Sequence, residues 1–180
     1  MKYEIDQSGK IEQTEKHTVL AFSNGTKGAV ILSAKNKRRL QEMFRQIGAP
    51  RIFVDYVFAA LLAILLKSCK AQTVTVDLEY PKSTKIIESL IDPFVKAEIR
   101  WDYIGKNSAA HDIAYKVYTE KLRVGRMVSV REIWRIVNLS GKFLKEKTGG
   151  HLNLTTLRRN RRSAPVSVTR LAQKRKKVNL

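Results

Sequence analysis

The 180-residue sequence predicts an α/β fold built on a mixed five-stranded sheet, antiparallel on one side and parallel on the other, with helices on both faces. Three observations predict it. Three short β-rich runs stand close together at the N-terminus, and from residue 34 onward helical and strand periods alternate. The most apolar stretch, IFVDYVFAALLAILL at 52–66, has 15 residues including Asp55. That is short of the ~20 needed to cross a bilayer, so it reads as a helix buried in the core.

In MKYEIDQSG, Tyr3 and Ile5 alternate with Glu4 and Asp6, the period of a half-buried strand over residues 2–8 that ends at a Ser-Gly turn. HTVLAFSN (17–24) and GAVILSA (28–34) follow as two further strands, with Gly25 and Gly28 suited to a short hairpin loop. In AKNKRRLQEMFRQI, Leu40, Met43, Phe44 and Ile47 recur at helical spacing with basic residues on the other face, and GAP at 48–50 ends the helix. TVTVDLEYP (73–81) reads as strand four, carrying Val74, Val76 and Leu78 on one side and Glu79 at its end before Pro81 closes it. STKIIESLIDPFV follows as a short capped helix, and AEIRWDYIG (97–105) as strand five with Ile99, Trp101 and Tyr103 alternating. Asn107 and Ser108 then cap a helix whose stripe is Ala109, Ala110, Ile113, Ala114 and Val117. SVREIWRIV (129–137) is a last amphipathic helix, opened by a capping box of Ser129 and Glu132.

Charge is distributed unevenly. The formal net charge is +19; residues 1–120 carry 18 Lys and Arg against 14 Asp and Glu, whereas residues 121–180 carry 17 against 2. Such a field favours polyanions, nucleic acid before an acidic membrane surface. From about residue 148 large apolar residues become scarce, and Arg-rich and Lys-rich clusters stand at 158–162 and 174–177. The expected division is therefore a core over 1–122, a helical extension over 123–147 and a basic arm over 148–180. The arm lacks the Phe/Trp/Leu face that an interfacial helix buries, which argues against a membrane partner. One cysteine, Cys69, and an N-terminus without an apolar leader point to a reducing cytoplasm, with Cys69 an inert thiol at the edge of the core. The sequence contains no P-loop, no GxGxxG after a strand, no paired Cys or HExxH for zinc, and no Ser in a nucleophile elbow.

The element order and three segments, IDQSG, VTVDLEYP and AAHDIAY, together resemble the ribonuclease H-like superfamily of nucleases, and in motif placement the RuvC-type Holliday junction resolvases. The resemblance covers residues 1–120. It implies a catalytic acid at Asp6 in the first strand, a second at Glu79 at the end of strand four, and a third ligand near the start of the last helix. Aligned on Ala114, that third position falls on His111 rather than Asp112. Either side chain suits a metal, but adjacent helix positions point about 100° apart, so one of the two faces Asp6. Asp77 and Asp102 lie on strands near this site, as groups able to orient the ligands or simply as exposed strand acids.

The chemistry this implies is phosphodiester hydrolysis. Two divalent ions ~3.5–4 Å apart can deprotonate a water and stabilise the leaving oxygen. Carboxylates suit Mg²⁺, and a histidine ligand shifts the preference towards Mn²⁺. The expected ligands are Asp6, Glu79 and His111 or Asp112. The substrate is expected to be structured or branched nucleic acid, DNA before RNA, gripped by Arg131, Arg135, Lys142, Lys145, Arg158, Arg159, Arg161, Arg162, Lys174, Arg175, Lys176 and Lys177. Trp134, between Arg131 and Arg135, reads either as a stacking surface for an unpaired base or, with Ile133 and Val137, as core. By analogy with resolvases, which cut two strands, a homodimer is expected. The rival expectation is a non-catalytic nucleic-acid-binding protein on the same fold, associated with ribosomes or other nucleoprotein. An Asp beside a turn and a Glu before Tyr-Pro are ordinarily solvated residues.

Overall fold

The computed structural model of the chain describes residues 3–69 and 71–140. Its strands are β1 (Tyr3–Ser8), β2 (Thr18–Ser23), β3 (Lys27–Leu32), β4 (Thr73–Asp77), β5 (Glu98–Asp102) and β6 (Arg126–Met127). Its helices are α1 (Ala34–Gln46), α2 (Phe53–Leu66), α3 (Thr84–Ile91), α4 (Ala109–Tyr118) and α5 (Val130–Ser140). All six strands form one mixed sheet in the order β5-β4-β1-β2-β3-β6. β1, β2 and β3 are antiparallel neighbours, while β4 runs parallel to β1 and β5 parallel to β4.

The antiparallel-plus-parallel layout is the expected one, but the sheet has a sixth strand. β6 pairs parallel with β3 through only two residues, both exposed, so it leaves no periodic signal in the sequence. It reaches β3 through Gly125, whose φ of 111° is open to glycine and whose missing Cβ would stand 2.8 Å from the Ala29 carbonyl oxygen.

The faces of the sheet are occupied differently. On one, Ile5, Leu20, Val30, Leu32, Val74 and Val76 pack under α2, which is buried almost from end to end, as the apolar run 52–66 predicts. α1, α3 and α5 pack around α2 on that side. On the other, Val19, Ala21 and Ala29 receive Ile113, Ala114 and Val117 of α4, which lies across β1, β2 and β3. Small residues at 21, 29, 110 and 114 allow this close approach.

One open alternative is decided here and two sequence expectations change. Trp134 is 1 % exposed and packs edge-on against Phe44 at 5.4 Å between ring centroids, so it is core and offers no stacking surface. Tyr103 is not on the inner side of strand five with Ile99 and Trp101: β5 stops at Asp102, and Tyr103 turns out to 75 % exposure. The helix α1 does not keep all its basic residues outward. Lys37 is fully buried, and its ammonium donates to the carbonyls of Lys10 and Gln13 and to Thr18 Oγ1 at 2.8, 2.8 and 2.9 Å. The ammonium thereby fastens the β1–β2 loop to the core. Cys69 is buried as expected, which pushes its thiol up. Among the described residues no helix is long and apolar enough to cross a membrane.

Candidate functional site

The site is organised by the register of the parallel strands. Ile5 pairs with Val76, and Asp77 pairs with Asp102; one residue beyond Ile5, Asp6 stands level with Asp77. Register partners point their side chains to the same face. Asp6, Asp77 and Asp102 therefore form a row across the C-terminal ends of β1, β4 and β5, on the face that carries α4. Over β5 this face is open, since Glu98, Arg100 and Asp102 are all exposed.

Asp6 is the buried member, at 4 % exposure. Its Oδ1 accepts the Gln7 N–H at 2.6 Å, and its Oδ2 lies 2.6 Å from His111 Nδ1. His111 comes from the first turn of α4, where Ser108 Oγ caps the helix by accepting the His111 N–H at 3.0 Å. The same cap sets the positive end of the helix dipole near the Asp6 carboxylate. Burial nevertheless dominates and raises the Asp6 carboxyl above its ordinary value; the Gln7 N–H and His111 oppose this, and the Asp77 charge adds to it.

The two alternatives on α4 are thus separated. His111 faces Asp6, while Asp112, just over half exposed, binds Lys116 at 2.7 Å one turn along the same helix. Asp112 points away from the site. Glu79 lies past the end of its strand. The strand expected to run through it ends at Asp77, because the Glu79 N–H turns back to the Asp77 carbonyl at 2.9 Å and leaves the ladder. Its carboxylate lies 3.4 Å from Lys10 Nζ. Asp77 is the strand-four acid whose charge reaches Asp6, and its Oδ1 accepts the Ile104 N–H at 2.8 Å. Alternation along TVTVD marks Asp77 as facing the same side as Asp6 once the register is fixed; sequence alone lacks that register.

Two further features hold the site. Gly9, at φ 76°, closes the turn after β1 with the His17 carbonyl and the Tyr118 ring packed where a Cβ would stand. Tyr80, just past Glu79, accepts the Ile11 N–H and Gln7 Nε2–H at 3.2 Å each and donates to Glu12 Oε2 at 3.1 Å. Burial raises its hydroxyl well above the ordinary range. It ties the loop after β1 to the loop after β4.

Among the described residues no three His, Cys, Asp or Glu side chains gather into a group able by themselves to enclose a metal ion. Asp6 and His111 meet, while Asp112 pairs with Lys116 and Glu79 with Lys10. Arg131 and Arg135 are exposed on the outer side of α5, whose opposite side is buried in the core. Lys142, Lys145, Arg158, Arg159, Arg161, Arg162, Lys174, Arg175, Lys176 and Lys177 lie outside the described residues. Compared with known proteins, the chain matches no family model, no curated protein and no solved structure.

Proposed function

We propose that the chain is a divalent-metal-dependent nuclease on a ribonuclease H-like fold, acting on structured or branched nucleic acid, DNA before RNA, in the cytoplasm and as a homodimer. One observation carries this reading: a strongly basic protein aligns Asp6, Asp77 and Asp102 at one level of three parallel strands, and buries the first of them against a histidine. A row of three carboxylates, open at its β5 end, repels a phosphate backbone unless a cation stands between them. The strand order β5-β4-β1-β2-β3 with α4 across β1 and β2 supports the fold assignment.

The donors present fit one ion completed by substrate better than the two-ion set with Glu79 and Asp112. Mg²⁺ and Mn²⁺ bind through one or two protein ligands plus waters and substrate phosphates, so Asp6 and His111, with Asp77 beside them, form an adequate start. Such an ion, when bound, polarises the phosphate and lowers the pKa of a coordinated water. The chain's own residues do the rest. Asp6 fixes the imidazole through Nδ1, which leaves Nε2 as the nitrogen that can face a ligand. The Gln7 N–H holds the Asp6 carboxylate in place. Arg131, Arg135 and the basic C-terminal third supply affinity without sequence preference.

The test is cleavage of a panel of four-way junction, DNA–RNA hybrid and single-stranded substrates in MgCl₂ or MnCl₂. Asp6→Asn and His111→Gln should abolish cleavage and leave salt-sensitive binding nearly intact, and Asp77→Asn should cost more than Glu79→Gln. A wild-type protein that binds the panel but cuts none of it would sink the nuclease reading. The second reading, a nucleic-acid-binding protein without catalysis, is favoured by the pairing of Glu79 with Lys10 and by the lack of a converged three-ligand group among the described residues.

A further inference from the structure

We infer that Tyr103 and Tyr115 form a stacking platform for the unpaired bases of a single-stranded nucleic acid beside the Asp6–His111 pair. The inference rests on the proposed nucleic-acid substrate and specifies which part of it the site grips.

Exposed aromatic rings are scarce in this protein. Among the described residues Tyr103, at 75 %, and Tyr115, at 50 %, are the only aromatic side chains at least half exposed. Both stand at the candidate site. Tyr115 lies one helical turn beyond His111 on α4, and its ring is parallel to the imidazole within 6°, with centroids 6.5 Å apart. The Tyr115 ring thus lies parallel to the imidazole that holds Asp6.

Tyr103 is fixed by its backbone. Its N–H is accepted by Asp102 Oδ1 at 2.8 Å, and the next N–H, that of Ile104, by Asp77 Oδ1 at 2.8 Å. Two members of the aspartate row thus hold the loop that projects this ring into solvent. A tyrosine has only two side-chain torsions to fix, so a ring on an anchored backbone binds a flat partner at low ordering cost. Lys106, exposed on the same loop as Tyr103, supplies a cation for the accompanying phosphate.

The spacing suits a strand lying across the sheet. β5 is two strands from β1, about 10 Å at the usual inter-strand distance. At about 3.4 Å per stacked nucleotide, a strand with a phosphate at Asp6–His111 brings a base to Tyr103 some three nucleotides away. A duplex keeps its bases paired and offers neither ring a face. The platform therefore selects unpaired bases, such as those at a junction or a frayed end.

The experiment is fluorescence anisotropy in MgCl₂ with three labelled probes of equal length: an oligothymidylate, an abasic strand of the same backbone, and a blunt duplex. The protein carries Asp6→Asn throughout, so that no probe is consumed. Tyr103→Ala and Tyr115→Ala should each weaken oligothymidylate binding by about tenfold, the loss of one stacked base, and leave the abasic strand and the duplex unaffected. Tyr103→Phe and Tyr115→Phe should retain the affinity, because the ring and not the hydroxyl makes the contact. Unchanged oligothymidylate binding in both alanine variants, or equal losses on all three probes, would overturn the platform. Cleavage by the wild type is scored separately, so the nuclease reading and the stacking reading fail independently.

Discussion

Lys37 offers a quantitative test of how the β1–β2 loop is held. A fully buried ammonium is costly, and burial pushes Lys37 down to about 8, with Glu15 and Glu12 acting in the opposite direction. At that value the ammonium is charged at neutral pH, where it donates three short hydrogen bonds. Replacing it with methionine preserves the stem and removes the donors. At neutral pH the variant gains relief from burying a charge but takes one donor from each of the Lys10 carbonyl, the Gln13 carbonyl and Thr18 Oγ1. The expected net effect is a loss of about 2 kcal/mol. The pH dependence is the sharper quantity. Between the folded value near 8 and the ordinary value of 10.5 the unfolded chain binds the proton more tightly, so wild-type stability gains from deprotonation as pH rises. The methionine variant has nothing to titrate there. The difference between the two proteins should widen by about 2 kcal/mol between about pH 7 and pH 9.5. Urea unfolding followed by tryptophan fluorescence at several pH values reads this directly, since Trp134 is buried. A difference that stays flat over that range would refute the buried, hydrogen-bonded charge.

The remaining predictions concern the site and its neighbours. Asp6 is raised by burial, so its ionised form strains the fold: wild-type stability should fall as pH rises through the raised value of Asp6. Asp6→Asn should remove that step in calorimetric melts and raise the Tm at neutral pH; a lower Tm would contradict the burial cost. Gly9→Ala places a methyl group against the His17 carbonyl at positive φ and should destabilise by about 2 kcal/mol or more, measured by urea unfolding. Alanine at Arg158, Arg159, Arg161 and Arg162 together should flatten the plot of log affinity against log salt by up to about 3.6, and an unchanged slope would remove the arm from the contact.

Much of the fold was legible because its elements are periodic. β1 alternates, β2 and β3 are short apolar β-rich runs, α1 and α4 carry clear apolar stripes, and the capping box opens α5 with Ser129 N–H to Glu132 Oε2 at 2.9 Å and Glu132 N–H to Ser129 Oγ at 3.2 Å. What escaped was decided by tertiary contact. β6 is too short to have a period. Lys37 is buried because a neighbouring loop offers three acceptors, which helix periodicity does not record. Tyr103 continues the alternation of Ile99 and Trp101 on paper, yet its N–H bonds to Asp102 and the strand ends one residue earlier.

In the site, Asp6 was legible from its strand and turn, and His111 as one of two neighbours on a capped helix. Choosing between His111 and Asp112 needed the angle at which α4 crosses β1. Preferring Asp77 to Glu79 needed the register of β4 against β1 and the turn that withdraws Glu79 from the ladder. Both are relations between elements, and neither is written into a local stretch of residues.

β5 borders the sheet, and such borders invite a foreign strand to add on. Here Glu98, Arg100 and Asp102 alternate sign along its open face, with Arg100 bridging to Glu98 at 3.1 Å. A newcomer would have to set its own side chains against this mixed row. The far border is shielded for two residues by β6. The alternating charges along this border thus discourage copies of the chain from zipping together there.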